Sequence, residues 1–208
     1  MLFDADGVLQ RAPSDIRLRL AESLGARPDD AELCMTDVFA AEAPALVGQA
    51  DFSEAILPVI AKWRASCGAA ELLGHWQTIE IDRGVLDLIA ELRRAGLYCA
   101  LASNQEAHRA RRMSEALGYG KVFDREFYSW QLGHSKPALA FFTELIRLGG
   151  FDPARTLFID DRVDNVASAR EAGLQAEQFV LGVVGEGAGP MRALLARWGV
   201  ALVAAVDS

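Results

Sequence analysis

Basic residues, thiols, histidines and long apolar runs are all scarce in this chain, and each scarcity excludes something. Its three cysteines, Cys34, Cys67 and Cys99, are widely spaced and form no C-x-x-C pair. That excludes a disulfide framework and the common zinc signatures. In their apolar contexts they are expected as buried free thiols in a reducing compartment. Lys and Arg number 21 against 29 Asp and Glu, a net charge of −8. Neither nucleic acid nor an anionic membrane is therefore expected as a partner, and an anionic ligand must be attracted locally. No apolar stretch approaches the ~20 residues of a membrane span. No basic segment leading into an apolar core opens the sequence, so no secretory signal is read and a cytoplasmic location is expected. His75 beside Trp76 reads as core or hinge packing, and His134 as a loop residue. His108, among Arg109, Arg111 and Arg112, reads as a solvated helix face.

What is present is an alternating pattern. From about Ile79 onward, helix-like and strand-like segments follow one another: Gly84–Ala95, Leu97–Ala102, Glu106–Leu117, a strand near Val122-Phe123, Pro137–Leu148, Thr156–Ile159, Val163–Ala172, a strand near Ala176–Val180 and Pro190–Trp198. Glycines at 96, 118 and 173 supply helix stops. Such alternation implies an α/β fold, a parallel sheet with helices on both faces. The stretch between the first strand and Ile79 contains only helix-like segments: Ser14–Leu24, Asp29–Ala41, Phe52–Cys67 and Ala69–Trp76. An α-helical insertion over residues 13–78 is expected, with residues 1–12 and 79–208 forming the α/β core. Leaving from the carboxyl end of the first strand, the insertion lies at the mouth of any site there, where a lid belongs. The glycine-rich run Gly182–Gly189 reads as a loop.

Four aspartates carry the chemistry. Asp4 and Asp6 follow Met1-Leu2-Phe3, and Asp160 and Asp161 follow Thr156-Leu157-Phe158-Ile159. Both apolar runs read as buried parallel strands, and ligands bind beyond the carboxyl ends of such strands. If the strands are neighbours, the four carboxylates share one pocket. Two like charges about 4 Å apart repel by roughly 4 kcal/mol at an effective dielectric near 20, so the cluster must raise some of its pKa values or recruit a cation. With oxygen donors alone, Mg²⁺ is favoured over zinc. Asp4 can act as a carboxylate nucleophile. Asp6, after a turn permitted by Gly7, can give and take a proton.

Three further segments fit that pocket. Ser103 and Asn104 sit at a strand-to-helix turn, where a hydroxyl and backbone N–H groups can cradle phosphate or simply cap the helix. Lys136, just before Pro137, can neutralise both a phosphate and a carboxylate. Asp164 and Asn165 open the helix after Asp161, Asp164 either as a supporting acceptor or as a favourable charge at a helix start.

In this order the four segments, LFDADGVL, LASNQ, HSKPALAFF and FIDDRVDN, resemble the four motifs of the haloacid dehalogenase superfamily. Its members are mostly Mg²⁺-dependent phosphohydrolases with a Rossmann-like core, and many carry a helical cap between the first and second motifs. The resemblance implies a phosphatase acting on a small phosphorylated metabolite through an aspartyl-phosphate on Asp4. It implies that Asp6 protonates the departing alcohol and then activates water. Lys136, Ser103 and Asn104 would meet the phosphoryl group. Asp4, the backbone carbonyl of Asp6 and Asp161 would hold Mg²⁺, with Asp160 as a further ligand or a neighbour of one. The sequence departs from the pattern at Val8, often threonine, and at Asn165, often an acid. With three residues before Asp4, the first strand is expected to be short, frayed or preceded by further residues. A phosphosugar mutase and a non-catalytic protein that retained the fold are the alternatives. A dehalogenase is disfavoured, since that branch usually lacks the second aspartate of the first motif.

Overall fold

Strand β1 (Leu2–Phe3) lies at the centre of a five-stranded parallel sheet, and everything at its carboxyl end follows from that position. A computed structural model describes residues 1–200; the last eight residues of the expected core lie outside them. The sheet comprises β1, β4 (Ala100–Ser103), β5 (Arg125–Tyr128), β6 (Leu157–Asp160) and β7 (Gln175–Gln178), in the order β5-β4-β1-β6-β7. The register aligns Phe3 with Leu101 on one side and with Ile159 on the other. The strand order reverses at β1, which makes its carboxyl end the switch point where open α/β sheets bind ligands.

Side-chain alternation divides the core into two layers. Phe3, Leu101 and Ile159 face α6 (Arg83–Arg94) and α12 (Ala188–Arg197), whose Leu88, Ile89, Met191 and Leu195 complete that layer. Leu2, Ala102 and Phe158 face α10 (Leu139–Gly149) and α11 (Val163–Glu171) through Phe141, Phe142 and Val166. Phe3, Phe141, Phe142 and Phe158 are each fully buried, about 1.5–3 kcal/mol apiece for removal from water. Burial of this kind holds even so short a strand as β1 in the middle of the sheet.

Between β2 (Gln10–Arg11) and β3 (Glu80–Ile81) the chain is helical: α1 (Ile16–Ser23), α2 (Ala31–Glu42), α3 (Phe52–Ala55), α4 (Leu57–Lys62) and α5 (Ala69–Trp76). These helices enclose a core of their own, with Leu20, Cys34, Val38, Phe52, Ile56 and Leu72 at its centre. The pattern-based helix Phe52–Cys67 is in fact two, broken at Ile56. Pro58 has no N–H to donate, and it sits in the first turn of a new helix. β2 and β3 pair antiparallel at the base of the insertion; two residues each, they are too short to show a period.

Other boundaries moved. The strand expected near Val122-Phe123 is Arg125–Tyr128, preceded by a helical turn, α8 (Tyr119–Val122). It escaped notice because it opens with two charged residues, tolerated at a sheet edge, where the Arg125 guanidinium lies 4.5 Å from the Phe127 ring centre. The segment after Glu106 is α7 (Ala107–Arg111) followed by a π-helical turn over Arg112–Ala116. The helix after Lys136 starts at Leu139, not at Pro137. All three cysteines are buried and free. Among the described residues no helix is long and apolar enough to cross a membrane.

Candidate active site

The carboxyl ends of β1, β4 and β6 open into a cleft of about 570 Å³ beneath the helical insertion. Asp4, Asp6, Ser103, Asn104, Lys136, Asp161 and Asn165 all line it, whereas Asp160 and Asp164 do not. Asp160 lies directly behind. One carboxylate oxygen from each of Asp4, Asp160 and Asp161 falls within 4.8 Å of the others.

Lys136 organises the acids. Its Nζ stands 2.6 Å from Asp160 Oδ2 and 2.8 Å from Asp4 Oδ1, and all three groups are buried. Burial alone would lower the lysine pKa, but the two carboxylates outweigh it and hold the ammonium charged. Burial pushes Asp4 up to about 7, with Asp160 adding to the shift and Lys136 opposing it. Burial and Asp160 push Asp161 up to about 6.

Asp160 and Asp161 are separated by their partners. Asp160 Oδ2 accepts from Lys136; Oδ1 accepts from the Arg162 backbone N–H (2.9 Å) and from Asn165 Nδ2 (2.9 Å). Both of its oxygens are thus occupied. Asp161, half-buried, packs over Gly7: a Cβ on that glycine would lie 2.4 Å from Asp161 Oδ2, and the glycine has φ +81°. Only glycine allows that turn and that approach. Asn165 lines the cleft, and its buried Oδ1 lacks a hydrogen-bond donor among the described residues, while Asp4 Oδ1 is met by the Lys136 ammonium at 2.8 Å. Clustered carboxylates beside an unpaired buried oxygen, with no softer donor among them, fit a hard divalent cation. Asp4 and Asp161 have the carboxylate oxygens free for it.

Asp6 is oriented by three side chains. Oδ1 accepts from Arg109 Nη2 (2.8 Å) and Gln10 Nε2 (3.1 Å), and Oδ2 from Gln105 Nε2 (2.6 Å). Gln10 is itself held by the Tyr119 hydroxyl at 2.7 Å. Gln105 also donates to Ser103 Oγ, at 3.2 Å. Asn104 pairs reciprocally with the backbone of Lys136: its Nδ2 donates to the carbonyl (2.9 Å) and its Oδ1 accepts from the N–H (2.8 Å). Its side chain therefore clamps the lysine loop. Asp164 pairs with Arg162 at the surface and lies off the cleft.

Arg109, Gln10, Gln105 and Glu42 were not singled out from the sequence. The solvated-face reading holds for the exposed Arg111 and Arg112 but is corrected for Arg109, which is buried. The available signal was its place four residues before the buried Met113, on the inward side of the same helical stretch. Glu42 similarly lies four residues after Val38 and seven after Met35, both buried. Burial pushes its carboxyl up to about 7, while Trp76 Nε1 donates to its Oε1 at 3.0 Å. Trp76 lines the cleft; His75 and His134 do not.

Three contacts tie the insertion to the core beside this cleft. Arg109 Nη1 donates to the Trp76 carbonyl, and His108 Nε2 lies 2.8 Å from Asp51 Oδ1. Gly48, at φ +70°, approaches Trp130 so closely that a Cβ would lie 2.4 Å from its carbonyl oxygen.

Comparison with known proteins finds similar sequences and folds. The sequence is 32% identical over 105 residues to a D-ribitol-5-phosphate phosphatase of Bacteroides thetaiotaomicron, covering 48% of this chain and 50% of that protein. The chain thus spans about half the length of that relative. It is 28% identical over 192 residues to an N-acetylmuramic acid 6-phosphate phosphatase of Pseudomonas aeruginosa, covering 88% of this chain and 82% of that one. The fold matches a haloacid dehalogenase family enzyme from B. thetaiotaomicron, determined in complex with magnesium and inorganic phosphate. That match has a TM-score of 0.74 at 19% identity, over 89% of this chain and 94% of that one. A family model described as haloacid dehalogenase-like hydrolase matches residues 1–173, and the chain belongs to that family.

Proposed function

We propose that this chain is a Mg²⁺-dependent phosphomonoesterase that hydrolyses a small phosphorylated metabolite through an aspartyl-phosphate on Asp4. The observation that carries the reading is the meeting of Asp4, Asp160 and Asp161 around buried Lys136 in one cleft. The relatives' names, phosphatases of different phosphate esters, support the reaction and leave the alcohol open.

An Asp4 carboxylate oxygen attacks phosphorus, and the bond from phosphorus to the alcohol oxygen breaks. Asp6, oriented by Arg109, Gln10 and Gln105, gives its proton to the departing alkoxide. Asp6 then takes a proton from the water that attacks the phosphoryl group, and the bond to Asp4 breaks to release phosphate. Lys136 stabilises negative charge at Asp4, and the Ser103 hydroxyl donates to a phosphoryl oxygen. Asp4, the Asp6 carbonyl and Asp161 would hold the cation, which when bound offsets charge between nucleophile and phosphoryl oxygens. Asp160, with both oxygens engaged, positions Lys136. The helices over 13–78 act as a cap that keeps water from the reacting centre.

The decisive test is phosphate release from an aryl phosphate with and without Mg²⁺. The wild-type protein is expected to require the ion, and Asp4→Asn to lose turnover entirely. Turnover in Asp4→Asn equal to that of the wild type sinks the assignment.

A further inference from the structure

Past the phosphoryl end the cleft changes character. Its wall there is built by Ile16, Met35, Phe39, Leu46 and Trp76 from the helical insertion, with Glu42 the one acid among them. The Trp76 ring stands edge-on to Phe39, with centroids 5.5 Å apart and planes at 75°. The indole N–H occupies Glu42 Oε1, leaving the other oxygen of that buried carboxyl for a donor on a ligand.

Cations near this wall are committed elsewhere. Arg11, Arg17 and Arg162 also line the cleft, are about half exposed or more, and are paired with Glu80, Glu32 and Asp164. Arg109 is held between Asp6 and the Trp76 carbonyl. Among the described residues, an alcohol bearing a second phosphate or a carboxylate would meet an acid and no unpaired buried cation. A polyol would leave most of its hydroxyls against hydrocarbon, and buried polar groups without partners are disfavoured.

We propose that the substrate is the phosphate monoester of an alcohol with an apolar or aromatic body, seated against the paired rings of Phe39 and Trp76, and one hydrogen-bond donor directed at Glu42. This rests on the phosphatase reading and deepens it. Phe39 and Glu42 are then the residues that select the alcohol: Phe39 by contact area and shape, Glu42 by accepting the lone donor.

The test compares kcat/KM for acetyl phosphate, benzyl phosphate, glucose 6-phosphate and a hexose bisphosphate. Benzyl phosphate is expected to exceed both sugar esters by about tenfold or more, the range open to an apolar pocket. Phe39→Asp is expected to cut the ratio of benzyl to acetyl phosphate turnover by about tenfold. An aryl phosphate with a terminal hydroxyl or amine is expected to outpace its plain alkyl counterpart, and Glu42→Leu to erase that preference. Sugar esters turned over as well as benzyl phosphate, or a benzyl preference intact in Phe39→Asp, overturns the proposal. Calorimetric binding of benzylphosphonate separates this inference from the one beneath it. If acetyl phosphate is not hydrolysed, the phosphatase reading fails. Benzylphosphonate binding that weakens about tenfold in Phe39→Asp still upholds the apolar subsite, and binding unchanged by that substitution removes it.

Discussion

The Arg109 guanidinium lies 2.8 Å from the Asp6 carboxylate and donates through its other amino group to the Trp76 carbonyl. One buried side chain thus joins the loop after β1, the helix after β4 and the last helix of the insertion. A planar guanidinium can serve two acceptors on different elements at once, which an ammonium on a flexible stem does less well.

If Arg109 positions Asp6, its loss should be felt most where proton donation matters most. Arg109→Lys is expected to lower kcat on an alkyl phosphate by about tenfold, against roughly 10²–10⁴ for Asp6→Asn, with little change in KM. Acetyl phosphate, whose leaving group needs no proton, should suffer less. Equal losses on both esters would make Arg109 a purely structural contact.

Among the described residues, Lys136 is the sole cation touching buried Asp4 and Asp160. Removing one partner from a buried ion pair costs about 3–5 kcal/mol. In a domain of this size each kcal/mol moves the melting temperature by roughly 2–4 °C, so Lys136→Met is expected to lower it by about 10 °C. Adding Asp160→Asn should restore part of the loss. A calorimetric scan of Lys136→Met matching the wild type would contradict the arrangement described.

The acids also set a pH dependence for the metal-free protein. Burial raises Asp4 to about 7 and Asp161 to about 6. Between the ordinary carboxylate range and these values, the folded chain binds more protons than the unfolded one. The contribution of these groups to stability therefore falls as pH rises through that window. Asp4→Asn removes the larger part. In chelator at pH 8 it is expected to melt a few degrees above the wild type, and at pH 4 the two should coincide. A wild-type advantage at pH 8 would reverse the assigned sign.

Mg²⁺ should act in the opposite direction. A ligand at 100 times its Kd stabilises by about 2.7 kcal/mol, or roughly 5–10 °C here. Wild-type protein is expected to show this rise, and Asp161→Asn to lose it while keeping its metal-free melting temperature within a few degrees. Gly7→Ala should blunt it too, since the added methyl collides with Asp161. A full Mg²⁺ response in Asp161→Asn would move the site elsewhere.

The parallel core was legible because the runs ending in Asp4 and Asp160 are continuously apolar, as strands buried on both faces are. Edge strand β5 was misplaced because it opens with two charged residues, and β2 and β3 were missed because each is two residues, one of them charged, and makes no apolar run. Arg109 and Glu42 were overlooked for a related reason. Each is a charged residue on an otherwise inward helix face, and such residues are usually solvated.

The order and chemistry of the residues determined on their own that carboxylates and a hydroxyl follow strands of an α/β core and that a lysine precedes one of its helices. Which carboxylate is free and which is spent was decided only by the folded chain. Asp160 and Asp161 are adjacent and chemically identical, yet the first points back into Lys136 and Asn165 while the second lies over Gly7. Hydrogen-bond saturation depends on direction and on neighbours distant in the chain, and only packing fixes those.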